Sequence, residues 1–260
     1  MDALLAAFCG VWGLIIGSFL NVVIWRVPRD ESVVRPPSHC PSCDTPIAPR
    51  DNVPVLSWLI LRGRCRHCQK RISARYPIVE LATAGLFAAF AVRFGAHAVL
   101  PAFLYLGGVG IALAMIDLDL QRLPDKLTLP SYPVAFVLLG IAALADGEGW
   151  PYARALIGMA VLFGFYAMLW FVYPAGMGLG DVKLSGVLGM YLGWLSWRAL
   201  VVGAASAFLV GAVVSISVLL FMGGSRKTKI PFGPFMLLGV LIATFAADPI
   251  AHAYLHSFNR

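Results

Sequence analysis

Residues 3–26 read ALLAAFCGVWGLIIGSFLNVVIWR, and no charge interrupts them before Arg26. The run is longer than the apolar core of a signal peptide. No basic segment precedes it and no small-residue cleavage site follows, so it predicts a retained membrane span. The composition extends that reading to the whole chain. Of 260 residues, 60% are hydrophobic and only 13% charged, with a mean hydropathy of +0.81. A water-soluble domain of this size has too much surface to hide so much apolar material. Lipid is the expected solvent, and backbone satisfied within each segment makes the spans helical. The expected fold is an all-α polytopic membrane protein.

Apolar runs place spans at roughly 3–26, 77–94, 99–117, 128–145, 152–173, 183–197, 199–222 and 232–255, about eight transmembrane helices. The sixth is short and meets the seventh at GWLSWR, the least defined boundary. Trp150, Trp194 and Trp197 fall at span ends, as interfacial aromatics do.

The net charge is +7, yet 10 of the 20 Lys and Arg lie between Arg26 and Arg75. Such clustering in one loop marks the cytoplasmic side rather than a nucleic-acid surface, and no groove-reading or base-stacking module is present. With that loop inside, Arg122, Lys126, Lys183, Arg226, Lys227 and Lys229 join it, which makes 16 of 20 basic residues. Arg93, Arg154, Arg198 and Arg260 fall outside, and both termini are expected to be periplasmic. The expected organisation is a first span (1–26), a cytoplasmic loop (27–76) and a membrane-embedded core (77–260). No internal repeat is evident, which disfavours the inverted-repeat architecture of many transporters.

That loop holds HCPSC at 39–43 and CRHC at 65–68. Cys40 with Cys43, and Cys65 with Cys68, form two C-x-x-C knuckles separated by 21 residues, a spacing suited to a tetrahedral four-thiolate zinc site. A cytoplasmic loop is reducing, which argues against disulfides. Four thiolates leave no position for water, so the expected zinc is structural and supplies folding energy to the loop. His39 and His67 adjoin the ligands without being needed as ligands. Cys9, inside the first span, reads as an inert core residue.

Acidic residues are few at span ends. Asp117, Asp119 and Asp125 occur in IDLDLQRLPDKLTLP, and Asp181 follows the glycine-rich GMGLG. Both groups fall at cytoplasmic ends of spans, so they can meet at one depth. Two carboxylates in hydrogen-bond reach share a proton: one then activates water while the other polarises a carbonyl. Gly178 and Gly180 leave room for a substrate backbone beside Asp181. From the residues alone, Asp181 serves equally well as the cap of a helix starting near Val182.

Taken together, GMGLGDVKL and IDLDLQRLPDKLTLP resemble the bacterial type IV prepilin peptidases, a family of intramembrane Gly-x-Gly-Asp aspartic proteases. GSFLNVVIWRVP at 17–28, the paired C-x-x-C, RYPIVEL at 75–81 and KIPFGPF at 229–235 match in the family's order over nearly the whole chain. The resemblance implies catalysis by Asp117, seven positions before Pro124, and by Asp181. Asp125 is then expected to cap the next helix, Asp119 to be solvated or to tune the pair, and Lys183 to favour the charged form of Asp181 or to reach headgroups. It implies cleavage of the basic leader of type IV prepilins or type II secretion pseudopilins after a glycine, at the cytoplasmic face of the inner membrane. Asp30, Glu31, Asp44 and Asp51 are the candidate contacts for that leader. Zinc-loop members also N-methylate the new terminus with S-adenosylmethionine, an expectation carried by the resemblance alone. Glu80 binds substrate amine or cofactor, or pairs with Arg75. Asn21 reads as an interhelical hydrogen bond. In KIPFGPF, Pro231 and Gly233 offer backbone to an extended substrate, or Pro231 and Pro234 open the last helix. The rival readings are a proton- or cation-coupled transporter using Asp117 and Asp181 as its ion site, and a non-enzymatic assembly scaffold.

Overall fold

A chain this apolar satisfies its backbone within helices, and the computed structural model is helical wherever it has long elements. It describes residues 2–174, 176–221 and 230–258. Nine α-helices occur among the described residues: α1 (Asp2–Arg26), the short α2 (Leu56–Ile60), α3 (Arg75–Phe94), α4 (Leu100–Leu120), α5 (Asp125–Asp146), α6 (Gly149–Val172), α7 (Leu179–Leu195), α8 (Trp197–Phe221) and α9 (Gly233–Phe258). Seven of them are long and apolar enough to cross a membrane: α1, α3, α4, α5, α6, α8 and α9. The protein is a multi-pass membrane protein. The basic residues Arg226, Lys227, Lys229 and Arg260, used in the charge argument, lie outside the described residues.

The span expected over 183–197 is the 17-residue α7, which begins four residues earlier. At 1.5 Å per residue it is about 26 Å long, short of a hydrocarbon layer of roughly 30 Å. It is also the most enclosed helix, with nearly every residue from Asp181 to Trp194 buried. Arg154 of α6 donates to the carbonyls of Gly193, Trp194 and Leu195, satisfying the last turn of α7.

The chain divides into two compact units, 1–112 and 113–260. In the first, α1 packs on α3 through Gly13 and Gly17. A Cβ at Gly13 would lie 2.6 Å from Ala84 Cα, and one at Gly17 2.7 Å from Glu80 Cα. Apolar tails solvate apolar side chains as well as other helices do, so close backbone approach carries such packing. Asn21 adds an interhelical bond, donating to the Tyr76 carbonyl at 3.2 Å. In the second unit α7 runs against α6, and Gly158 and Gly189 let the two backbones meet.

Candidate active site

The residues of the acidic site, from Asp117 onward, all belong to the second unit. α4 ends when Gln121 adopts a left-handed conformation (φ 52°), its N–H donating to the Asp117 carbonyl at 2.8 Å. This places Asp117 on the last turn of α4 and turns Gln121–Leu123 across the helix end. Pro124 is the N-cap of α5. Asp117 and Asp181 are both buried, 5% and 8% exposed. They line one cavity of about 260 Å³ with Gln121, Arg122, Leu123, Gly178 and Gly180.

Each carboxylate is held through one oxygen. Asp181 Oδ2 accepts the Gly178 N–H at 3.2 Å, and Asp117 Oδ2 accepts the Gly233 N–H at 3.0 Å. Asp181 Oδ1 is buried with no hydrogen-bond partner among the described residues. An anionic oxygen left that way is costly, whereas a shared proton or a bound water satisfies it.

Several expected roles change. α7 starts at Leu179, so Gly178 is its N-cap and Asp181 sits at its third position. Asp181 is therefore not the cap, although it reaches back to the cap's N–H. Gly180 does not face open space: a Cβ there would lie 2.9 Å from Leu123 Cβ. Asp125 does not cap α5 and Lys183 does not pair with Asp181; these two pair with each other, Nζ to both carboxylate oxygens at 2.8 Å. Asp119 is exposed and outside the cavity lining. Gly233, expected to offer backbone to substrate, gives its N–H to Asp117. Pro231 lies just before α9, and only Pro234 falls in its first turn.

Glu80 belongs to the first unit. It is buried, and its Oε2 accepts the Val55 N–H at 2.7 Å. Val55 has φ 60°, a rare conformation for a β-branched residue, and this bond supports it. The carboxylate thus anchors the loop, a task that no local pattern announced.

In the same unit, the four cysteines come together from two knuckles of one design. Cys40 N–H donates to the Thr45 carbonyl and Asp44 N–H to the Cys40 carbonyl; Cys65 to Lys70 and Gln69 to Cys65 repeat the pattern. Asp44 and Gln69, each following the second cysteine, share left-handed φ values of 52° and 58°. The four sulfurs lie within 4.8 Å of one another, with Cys40 and Cys68 Sγ 3.8 Å apart. Tetrahedral Zn–S bonds of about 2.3 Å set sulfurs roughly 3.8 Å apart, so the cluster fits a metal ion. The Thr45 hydroxyl and backbone N–H hold the Cys43 thiol down to about 6. Backbone N–H groups of Cys68 and His67 hold Cys65 below its usual range. Those two shifts favour the thiolate a metal needs. Against the Lys70 N–H, burial and the three neighbouring thiols push Cys68 up, as crowding of four sulfurs does until a cation sits among them. Asp51 is gripped by the Arg66 fork at 2.7 and 2.8 Å, which holds its carboxyl below the usual range.

The sequence reading missed the cavity walls, Gln121 to Leu123. They lie within IDLDLQRLPDKLTLP, but nothing local shows that the turn folds over Asp181.

Comparison with known proteins bears on what these sites do. The description "Bacterial Peptidase A24 N-terminal domain" matches residues 11–94, and "Type IV leader peptidase family" matches 103–246. A protein of Aeromonas hydrophila named prepilin leader peptidase/N-methyltransferase is 41% identical over 276 residues, covering 95% of this chain and 93% of its own. One so named from Myxococcus xanthus is 44% identical over 229 residues, covering 85% and 65%, respectively. Another from Pseudomonas aeruginosa is 35% identical over 274 residues, covering 94% and 91%. No solved structure matches the chain. By sequence over most of its length, the chain belongs to the type IV leader peptidase family.

Proposed function

We propose that this protein removes the basic leader of type IV prepilins, and of type II secretion pseudopilins, by peptide hydrolysis with Asp117 and Asp181. The observation that carries the reading is the pair of buried carboxylates in one cavity, one of them with an unpartnered oxygen. One aspartate, ionised, takes a proton from water as the water oxygen bonds to the scissile carbonyl carbon. The other, protonated, polarises that carbonyl and returns a proton to the departing amine as the C–N bond breaks. Gly178 and Gly180 border the cavity where the scissile peptide lies. Residues 1–26 serve as the first span, 27–76 as the metal loop and 77–260 as the peptidase core.

Zinc held by Cys40, Cys43, Cys65 and Cys68 orders the loop and takes no part in cleavage. The protein also N-methylates the new terminus with S-adenosylmethionine, a reading supported by the name its relatives carry. The acidic cavity, at about 260 Å³, is smaller than the roughly 300–1,000 Å³ of small-molecule sites. It does not suit that donor. With the short α7 taken as an eighth crossing, the loop faces the cytoplasm and both termini the periplasm of the inner membrane, an orientation that reporter fusions at residues 50 and 258 would test.

The deciding experiment reconstitutes the chain with a prepilin and follows leader removal by gel shift. Asp117→Ala and Asp181→Ala are each expected to abolish it. Cleavage at the wild-type rate by either variant removes the aspartate pair as the mechanism. An ion-coupled transporter predicts flux without cleavage, and a scaffold predicts neither.

A further inference from the structure

The segment entering α9, Ile230–Phe235, reads IPFGPF. First-turn N–H groups of a helix have no partner within it, and Pro234 has none to offer. Gly233 opens the helix and sends its N–H to Asp117 Oδ2, across 116 residues of sequence. A carboxylate at a helix N-terminus also meets the favourable end of the helix dipole.

Two features show that this contact is built. The first is steric. A Cβ at residue 233 would lie 2.8 Å from Asp117 Oδ2 and 3.2 Å from Leu123 Cδ2, so any side chain there displaces the carboxylate or the turn beside it. The second is the seat of the preceding residue. The Phe232 ring centroid stands 5.2 Å from Phe208 of α8 and 6.2 Å from Tyr166 of α6. Those two rings stack on each other at 5.6 Å. Aromatic contacts of this kind are favourable and geometrically selective. Two helices thus clamp the residue before Gly233 and aim its N–H.

Asp181 is held in a parallel way by Gly178 at the entry of α7. In both cases a glycine N–H at a helix start takes one carboxylate oxygen and leaves the other for chemistry.

The geometry assigns Gly233 a positioning role in the cleavage reaction: its N–H holds Oδ2 of Asp117 and so orients the carboxylate in the cavity. This rests on the aspartate-pair reading above, and it replaces the expectation that Gly233 binds substrate. An N–H donor stabilises a charged carboxylate relative to the neutral acid. Among the described residues, the other titratable or charged groups around Asp117 are Asp181 on α7 and Arg122 in the turn after α4, with Tyr166 of α6 near Asp181. A change at Gly233 removes none of these charges; it acts through Asp117 and the Leu123 turn beside it.

The test is steady-state prepilin cleavage by the full-length, reconstituted protein across pH. Gly233→Ala is expected to lower kcat about 100-fold, the order of loss when a catalytic group moves by about 1 Å. KM should change by less than about twofold, since the loss falls on the chemical step. The acid limb of the kcat profile should move to higher pH, because a carboxylate deprived of its donor keeps its proton to higher pH. Adding Leu123→Ala relieves the clash with Leu123 but not the one with the carboxylate, so the double variant should stay slow. Full rescue by Leu123→Ala, or an unmoved acid limb, overturns the proposal. Phe232→Leu keeps Gly233 and loosens its clamp; about a tenfold loss is expected, with the same direction of limb shift, and wild-type behaviour overturns the proposal. Asp117→Asn separates the two levels. Wild-type cleavage there refutes the aspartate pair itself, whereas slow Asp117→Asn beside unimpaired Gly233→Ala refutes only the positioning role.

Discussion

Lys183 Nζ lies 2.8 Å from each carboxylate oxygen of Asp125, joining α7 to the first residue of α5 across 58 residues of sequence. A second tie runs beside it: the Tyr132 hydroxyl of α5 donates to the Lys183 carbonyl at 2.6 Å. Two bonds thus hold the turn of α7 that carries Asp181 against α5. The lysine that looked like a tuning charge for Asp181 acts on the backbone that positions it.

The ion pair is partly exposed, with side chains 34% and 53% accessible. Its own stabilisation is therefore small, about 0.5–1 kcal/mol in a double-mutant cycle. Lys183→Met and Asp125→Asn should each slow cleavage by about two- to fivefold, and the exchanged pair Lys183→Asp with Asp125→Lys should recover most of the rate. Additive losses in the cycle would show that the contact does not couple the two helices.

Asp117 is buried whereas Asp119, two residues on, is exposed. Asp117→Asn should lower prepilin cleavage by at least about 1,000-fold, as removal of a group essential to the chemistry does. Asp119→Asn should stay within about twofold of wild type. The reverse order in rate assays would move the first catalytic position to Asp119.

The metal loop should release its ion in Cys40→Ser and Cys65→Ser. Elemental analysis is expected to find one zinc per wild-type chain and a large loss in both variants. Binding free energies of structural zinc in small domains are about 10–16 kcal/mol. The loop should therefore become rapidly cleaved by added protease in the variants or after chelation. Leader removal by a zinc-depleted protein whose helices remain folded is expected to persist.

Glycines on one helix should separate sharply. A Cβ at Gly158 would lie 2.5 Å from the Gly189 carbonyl oxygen, whereas one at Gly164 meets nothing within 4 Å. Gly158→Ala forces the α6 and α7 backbones apart and should destabilise by about 1–3 kcal/mol. Gly164→Ala should be neutral or stabilising by up to about 1 kcal/mol. Thermal unfolding in detergent or lipid distinguishes the two.

The helices and the metal knuckles were legible because their causes are local. Apolar runs near twenty residues long must be helical in lipid, whatever they pack against. Two C-x-x-C turns each present a thiol pair through bonds spanning only a few residues, Cys40 with Thr45 and Cys65 with Lys70. Helix ends shifted where the deciding group was distant. α7 starts at Leu179 rather than Lys183 in a segment whose apolar pattern gives no edge, and its far end is closed by Arg154 of α6.

Sequence alone thus determined a helical membrane chain, a four-cysteine loop and the acidic residues worth weighing, since each depends on composition or on neighbours along the backbone. Tertiary structure alone decided how those acids are used. Asp117 shares a cavity with Asp181 and is held by Gly233, Asp125 is held by Lys183, and Glu80 is tied to the loop at Val55. These pairings join residues 25 to 116 positions apart. No periodicity encodes them; they follow from where close-packed helices bring a buried charge within reach of a donor.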